Sequence, residues 1–300
     1  MGEQKTALIL LLILCFAVVS ILEIGIVKAE SVISIYIRAD GSIEGTDKIQ
    51  RDGNIYTLTD NISNSTIFVE KDNVMLDGAG YTIRGQPSGI RLNERDNVTI
   101  KNFVITIDDF AGWSIYLDLC SNCTIVNNTL TSFPESDPLS TGITVWGGAS
   151  NVIVGNRVND NVCGITLEGT SNNSVFGNNI TGNSRSMRIY ASQNNRVYQN
   201  NFINNDFEVF VGGSSVSNVF DNGDAMGSYW SNYDGTDSDG DGIGDTPYII
   251  DENNQDNYPL VNPVDISVIP EFPSWIILPL SVVATLVGIF YRNRLRRKVS

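Results

Sequence analysis

Short runs of β-branched and larger apolar residues recur along the middle of the chain, each opening on Asn or Ser and closing on Asn. The runs occupy 97–102, 122–127, 151–156, 173–178, 195–200 and 217–222. Their closing asparagines, Asn102, Asn127, Asn156, Asn178, Asn200 and Asn222, lie 25, 29, 22, 22 and 22 residues apart. A separation that settles at 22 indicates one structural unit that recurs, with insertions in the early copies.

Two further apolar tracks follow the same period. The pattern Gly-Ile-x-Leu at 89–92 returns at 114–117, 142–145, 164–167, 186–189 and 208–211, and its alternation predicts a strand with one buried face. A shorter apolar piece begins two residues after the closing asparagine, at Val104, Val158, Ile180 and Phe202. Each unit therefore carries three short strands and no helical period.

Three strands in about 22 residues fit one coil of an all-β parallel β-helix, in which like residues stack at the interstrand spacing of about 4.8 Å. The frame predicts about seven coils and an inward stack of Ile100, Ile125, Val154, Phe176, Tyr198 and Phe220. It also predicts a ladder of the closing asparagines, because asparagine tolerates a left-handed turn and its amide can bind the equivalent amide in the next coil.

The two ends of the chain carry other signals. Lys5 precedes an apolar run that ends near Val19, and Val27-Lys28-Ala29 offers a signal peptidase site; an uncleaved signal anchor is the alternative. A second apolar segment, 275–291, is followed by a basic tail and predicts a membrane span with a cytoplasmic C-terminus, with a buried helix as the alternative.

These signals predict the following division of the chain. It consists of a signal peptide (1–29), an N-terminal cap and first coil (30–72), β-helix repeats (73–222), a C-terminal cap (223–262), a linker (263–274), a transmembrane helix (275–291) and a basic tail (292–300).

Several segments resemble a known family. The coil pattern, DGAGYTIRG at 77–85, and GSYWSNYDGTDSDGDGIGDTPYII at 227–250 with NQDNYPL at 254–260 are similar to NosD-type right-handed β-helix proteins of the carbohydrate-binding and sugar-hydrolase repeat class. PEFPS at 270–274 is similar to the PEF-type sorting signals of archaeal surface proteins, which implies an archaeosortase as a partner. The NosD resemblance also implies copper supply to a nitrous oxide reductase.

Composition narrows the chemistry. A formal charge of -15 argues against nucleic acid as a partner, because phosphate binding needs clustered Lys and Arg. Histidine is absent, which removes the commonest general base and a principal copper ligand. After signal removal three Met and three Cys remain without clustering, so the residues oppose a copper role. Cys120 and Cys123 fit either a bridge across one turn or apolar fillers.

Two classes of function remain. A β-helix face can bind extracellular or cell-surface glycans without catalysis, and Trp146, Trp113 and Tyr190 are the predicted carbohydrate-binding residues. The alternative is a polysaccharide lyase or hydrolase, which needs carboxylates in one groove. Its acids would come from Asp108, Asp109, Asp118, Glu168 and Asp206, and its bases from Arg157, Arg185, Arg188 and Arg196.

The stretch DSDGDGIGD at 237–245 predicts a calcium site. In calcium-loop spacing the ligands are Asp237, Asp239, Asp241, the Ile243 carbonyl and Asp245, with Gly242 at the turn. The twelfth position is Tyr248 rather than a bidentate Glu, so the loop is not an EF-hand and is closer to thrombospondin-type-3 and dockerin-like repeats. The alternative interpretation is a plain acidic connector.

Seven Asn-x-Ser/Thr sequons occur, at Asn61, Asn64, Asn97, Asn122, Asn127, Asn172 and Asn179. Glycosylation needs an exposed asparagine, so Asn61, Asn64 and Asn172 are the predicted sites. Asn127 belongs to the predicted inward ladder and is expected to be bare.

Overall fold

The computed structural model describes residues 33–107, 112–132 and 140–266. Its regular structure consists of short β-strands, and nothing helical in these ranges has the length and apolar character needed to cross a bilayer. The predicted signal peptide, transmembrane helix, basic tail and most of the linker lie outside the described residues, as do Asp108 and Asp109.

The strands of the first half are β1 (Ile33–Ile37), β2 (Ile43–Glu44), β3 (Ile49–Asp52), β4 (Ile55–Leu58), β5 (Ile62–Ser63), β6 (Ser65–Val69), β7 (Val74–Asp77), β8 (Thr82–Gly85), β9 (Ser88–Asn93), β10 (Val98–Lys101), β11 (Val104–Ile107), β12 (Trp113–Asp118), β13 (Thr124–Val126) and β14 (Thr129–Ser132). Those of the second half are β15 (Thr141–Trp146), β16 (Val152–Val154), β17 (Arg157–Asn159), β18 (Cys163–Glu168), β19 (Ser174–Phe176), β20 (Asn179–Thr181), β21 (Arg185–Tyr190), β22 (Arg196–Tyr198), β23 (Asn201–Ile203), β24 (Phe207–Gly212), β25 (Tyr229–Trp230), β26 (Tyr248–Ile249) and β27 (Gln255–Asp256).

Three long sheets run the length of the molecule. Sheet A has the order β2-β1-β6-β9-β12-β15-β18-β21-β24, sheet B β3-β4-β7-β10-β13-β16-β19-β22, and sheet C β5-β8-β11-β14-β17-β20-β23-β25. Consecutive strands fall in sheets B, C and A in turn, so the chain from β4 to β24 makes seven coils. The predicted right-handed parallel β-helix of about seven coils is confirmed.

The core is a set of aligned apolar columns inside the coils. In sheet A, Ile90, Ile115, Ile143, Ile165, Met187 and Val209 are register partners. The first five are fully buried. Burying one such side chain contributes about 1.5–3 kcal/mol, so stacked coils supply the apolar contacts that no single coil could make alone. The second apolar track is therefore a strand of sheet A, as predicted.

The predicted inward stack of sheet B is correct for Ile100, Ile125 and Phe220 and wrong for its other three members. The register pairs Ile125 with Ile153, Ile153 with Val175, and Val175 with Val197. These residues are fully buried, whereas the predicted Phe176 and Tyr198 are partly exposed and stack on each other at 5.0 Å. Val154 is aligned with Phe176 and not with the inward column. The same shift occurs in sheet C, where Ile105, and not Val104, lies in the column of Val158.

The cause of the shift is a pair of adjacent asparagines. Asn127 has φ 55° and shares the left-handed position with Asn102, Gly155, Gly177 and Gln199. Asn128 is the buried residue that aligns with Asn156, so the true step there is 28 residues and not 29. Asn127 is partly exposed, and its predicted place in the inward ladder is therefore wrong.

Asparagines form three ladders between coils, and all of them except the partly exposed Asn205 and Asn218 are buried: Asn128–Asn156–Asn178–Asn200, Asn151–Asn173–Asn195–Asn218 and Asn161–Asn183–Asn205. In most steps the Oδ1 of one asparagine accepts both the backbone N–H and the Nδ2 of its counterpart in the preceding coil. The ladders satisfy backbone groups that the turns leave without a strand partner. The predicted amide ladder is real, with Asn128 in place of Asn102 and Asn127. It ends at Asn200, whose N–H binds Ser228 Oγ, so the predicted place of Asn222 in the ladder is wrong.

Both ends of the solenoid are covered. At the first coil β2 and β3 turn back antiparallel to β1 and β4. At the last coil the ring of Trp230 stacks between Phe202 and Tyr248, with centroids 4.3 Å away on each side. The Asp256 carboxylate accepts hydrogen bonds from Ser228 N, Tyr258 N and Trp230 Nε1, which fixes the closing segment to the last coil.

Candidate functional site on the outer face of sheet A

The outer face of sheet A carries three columns of aligned side chains. The first column is Ser88, Trp113, Thr141, Cys163, Arg185 and Phe207; the middle column is Tyr36, Phe68, Arg91, Tyr116, Thr144, Thr166, Arg188 and Phe210; the third is Asn93, Asp118, Trp146, Glu168, Tyr190 and Gly212. Glu70 extends the third column, because it follows Val69, the register partner of Leu92.

The middle of this face is a groove. Thr144 and Thr166 point outward yet are only 8% and 7% exposed, because their short side chains lie between taller neighbours. On the third column Trp146 is 54% exposed and Tyr190 is 37% exposed. The groove runs along the solenoid axis, with a floor of Tyr116, Thr144 and Thr166 and one side on which Trp146 and Tyr190 alternate with Asp118 and Glu168.

The three predicted carbohydrate-binding residues all lie on this face. Trp113 begins β12 and contacts Tyr116, with ring centroids 5.1 Å apart. Trp146 and Tyr190 belong to the third column, two coils from each other. Arg188 lies over the Tyr190 ring at 4.4 Å. All three flank the strand track that the sequence predicts: Trp113 directly precedes 114–117, and Trp146 and Tyr190 directly follow 142–145 and 186–189.

A cavity of about 610 Å³ continues the groove toward the first coils. Phe68, Arg91 and Tyr116 contribute to it from the middle column, and Glu70, Asn93 and Asp118 from the third. Sequence reasoning missed Glu70, Arg91 and Asn93. The signal that could have found Glu70 is TIFVE at 66–70, one further copy of the sheet A track upstream of the first recognised one.

The residues predicted for polysaccharide cleavage are mostly dispersed or paired. Arg157 and Arg196 belong to sheets C and B, away from the groove. Glu168 lies two coils from Asp118 in the third column, and its Oε2 accepts a hydrogen bond from Arg188 Nη1 at 2.6 Å. Glu70 accepts hydrogen bonds from Arg38 Nη1 at 3.0 and 3.2 Å. Two of the three acids of this column are therefore held by guanidinium groups.

The acidic loop folds against the closing segment of the chain. Ile243 pairs with Leu260 in an antiparallel bridge, Gly244 N donates to Pro259 O, and Val261 N donates to Gly242 O. Leu260 in turn pairs with Tyr229, which belongs to sheet C. The loop is thus fastened to the end of the solenoid through three residues in a row.

Three of the predicted calcium ligands lie together. Carboxylate oxygens of Asp237, Asp239 and Asp241 are within 4.8 Å of one another. Asp237 accepts hydrogen bonds from the backbone N–H groups of Gly240, Asp241 and Gly242, which orient its carboxylate into the turn. Asp245 instead binds Thr236 Oγ1 and Ser238, and these hydrogen bonds lower the pKa of Asp245.

The predicted glycosylation sites lie in turns. Asn61 and Asn172 are exposed, and Asn64 is partly exposed. Asn61 accepts a hydrogen bond from Thr82 N through Oδ1. Asn172 has φ 57°, in a turn outside the ladder that contains its neighbour Asn173.

The family described as Periplasmic copper-binding protein (NosD) matches residues 26–235. The match spans every coil of the solenoid, and no curated protein matches the chain. The seven-coil β-helix and this match agree, and the chain belongs to the NosD family.

Proposed function

We propose that this NosD-family chain is an extracellular, non-catalytic rod that binds glycans of a cell surface or matrix along the groove of sheet A. The observation that carries the proposal is the alignment of exposed aromatic side chains beside a floor of short polar ones. Aromatic rings present a flat apolar surface, while hydroxyl, amide and carboxylate groups fix orientation.

The geometry of the solenoid suits an extended polymer. Each coil advances about 4.8 Å along the axis, which is close to the length of one pyranose residue in an extended chain. A saccharide along the groove would therefore meet the same column once in each coil. Trp146 and Tyr190, two coils apart, would contact alternate sugar rings.

The arrangement supports binding more than cleavage. A hydrolase needs two carboxylates that face one bond and are free to exchange protons. On this face Glu70 and Glu168 are ion-paired with Arg38 and Arg188. A polysaccharide lyase or hydrolase remains the alternative proposal, with Asp118 as the acid that no arginine of the described ranges engages.

The copper chemistry in the family's description does not fit the donors of this chain. The chain has no histidine. Cys120 and Cys123 adjoin in a buried turn, whereas Cys163 lies on the outer face of sheet A. Met75 is on the outside of sheet B, Met187 is in the core and Met226 is in the closing segment. The described residues bring no third soft donor to the cysteine pair, so we derive no copper step.

We also propose that Asp237, Asp239 and Asp241 bind Ca²⁺ with the Ile243 carbonyl, as a structural clasp for the closing segment. The proximity of the three carboxylates favours this function over a plain connector. Hard oxygen donors in a tight turn are what Ca²⁺ prefers, and like charges at this spacing repel each other without a cation.

The family's description as periplasmic agrees with the prediction that the solenoid lies outside the cytoplasm. We propose in addition that the chain is held at the cell surface by residues 275–291 and that an archaeosortase processes the PEFPS segment. Detection of the full chain in the membrane fraction, and its loss from that fraction when residues 275–291 are deleted, would support the anchor. A mature form that ends near the PEFPS segment would support processing.

A panel of polysaccharides, presented to the full chain with and without calcium, tests the proposed function. Retention on one or more immobilised glycans, without new reducing ends or unsaturated uronates, is expected. Release of such products would establish the enzymatic alternative. Trp146→Ala with Tyr190→Ala should abolish retention, whereas Tyr229→Ala, outside sheet A, should leave it intact.

A further inference from the structure

Four polar side chains of neighbouring strands form a compact group at one end of the groove. Arg91 and Asn93 come from β9, and Tyr116 and Asp118 are their register partners in β12. Alternate residues of a strand point to the same face, so all four project outward. They border the cavity of about 610 Å³, which Phe68, the register partner of Arg91, also lines.

These four groups have unused hydrogen-bonding capacity. Within the described residues, the Arg91 guanidinium, Asn93 amide, Tyr116 hydroxyl and Asp118 carboxylate have no hydrogen-bond or ion-pair partner in the protein. Arg91 is held in place by aromatic rings instead, at 4.9 Å from the centroid of Tyr116 and 5.6 Å from that of Trp113. The group thus combines donors and acceptors on a rigid sheet with no protein partners to displace.

The charges of the group are balanced. Glu70 is paired with Arg38 at 3.0 Å, but Arg38 also binds Glu44, so these three side chains carry one net negative charge; Arg95 has Asp72 as its partner at 3.4 Å. Among the described residues that line the cavity, this leaves Arg91 as the cation and Asp118 as the anion without an ion-pair partner. An uncharged sugar can donate hydroxyls to Asp118 and accept from Arg91 at once. A uronate or sulfated sugar would gain Arg91 but would be repelled by Asp118.

We infer that Arg91, Asn93, Tyr116 and Asp118 form a subsite that selects an uncharged hexose with adjacent hydroxyls over an acidic sugar. The inference rests on the proposed glycan binding and names its substrate class. Each hydrogen bond from a hydroxyl to a charged group raises the affinity about tenfold or more, which is enough for one carboxylate to set the preference.

The test measures binding of the full chain to neutral β-linked gluco- and manno-oligosaccharides and to oligogalacturonates of the same length. The wild type should bind a neutral series and exclude the uronates. Asp118→Asn should weaken neutral binding about tenfold, the loss of one charge-assisted hydrogen bond. The same change should improve uronate binding, because the repelling charge is gone.

Two further variants separate this effect from general damage. Tyr116→Phe removes one hydroxyl and should lower neutral binding several-fold without changing the uronate preference. Asp52→Asn removes the same charge from an exposed position of β3 and should change neither. Thermal unfolding of each variant checks that the solenoid remains folded.

The outcomes distinguish the two proposals. Binding to none of the probes by the wild type would overturn the proposed function and the inference together. Binding that Trp146→Ala and Tyr190→Ala abolish, but that Asp118→Asn leaves unchanged in strength and preference, would overturn the inference alone. A wild type that prefers uronates would also overturn it.

Discussion

At the residue scale, the buried asparagines hold neighbouring coils together through side-chain hydrogen bonds. The Nδ2 of Asn178 donates to Ile153 O, Phe176 O and Asn200 Oδ1. Its Oδ1 accepts from both the backbone N–H and Nδ2 of Asn156. Because every donor and acceptor of this buried amide is engaged, the position requires asparagine. An alanine there would leave the partners of the amide buried without a hydrogen bond.

Asn178→Ala should therefore lower the free energy of unfolding by about 2 kcal/mol or more, because unsatisfied buried groups cost about 1–3 kcal/mol each. Urea denaturation followed by circular dichroism measures the change. Asn253→Ala, at an exposed asparagine of the closing segment, is the matched control and should change it little. Equal effects of the two changes would contradict the role given to the ladder.

One buried and one half-buried carboxyl, Asp256 and Glu208, predict a pH dependence. Burial raises the pKa of Asp256 to about 6 and that of Glu208 to about 6. Their folded pKa values exceed those of unfolded Asp and Glu, about 3.9 and 4.3. The folded state therefore binds these protons more tightly, and the stability they contribute is present below about pH 4 and lost as pH rises through 6.

The thermal midpoint in chelator should consequently fall between pH 5 and pH 7. Asp256→Asn combined with Glu208→Gln should flatten this part of the curve, because neither side chain then titrates. A midpoint that rises over the same interval would show that the charged carboxylates, held by donors such as Trp230 Nε1, are the preferred forms.

At the element scale, the acidic loop is a separate unit attached to the last coil. Its backbone is fixed by the Ile243–Leu260 bridge, while its three clustered carboxylates accept hydrogen bonds from backbone N–H groups and repel one another. A cation bound there would tie the loop to the closing segment without touching the groove, which lies on another face of the solenoid.

Millimolar calcium should raise the thermal midpoint of the wild type, and Asp239→Ala with Asp241→Ala should remove the increase. Asp224→Ala with Glu252→Ala removes the same number of charges from elsewhere in the closing region and should retain it. A wild-type midpoint that calcium leaves unchanged would refute the proposed clasp.

At the scale of the whole molecule, stability is a sum over similar coils and their interfaces. Asn156 and Asn178 are equivalent positions 22 residues apart, and their neighbours in sheets A, B and C are equally matched. A solenoid of this kind tolerates removal of a whole unit, because the two new neighbours present the same columns to each other.

Deletion of residues 157–178 should leave a folded, shorter solenoid with a reduced free energy of unfolding. Deletion of 157–179 removes one residue more, so that each following strand presents its polar side to the core. Circular dichroism and urea denaturation should show cooperative unfolding for the first deletion and not for the second. Equal behaviour would contradict the register.

The sequence by itself determined the coil, because the same strand pattern repeated every 22 residues requires equivalent strands to stack in parallel. It also marked Trp113, Trp146 and Tyr190, whose size and polarity are visible without neighbours. Only the tertiary structure decided which of Asn127 and Asn128 is buried, since both fit the turn and the choice depends on contacts between coils. It alone showed that Arg91 and Asp118 line one cavity, because the shape of that space depends on side chains from several coils.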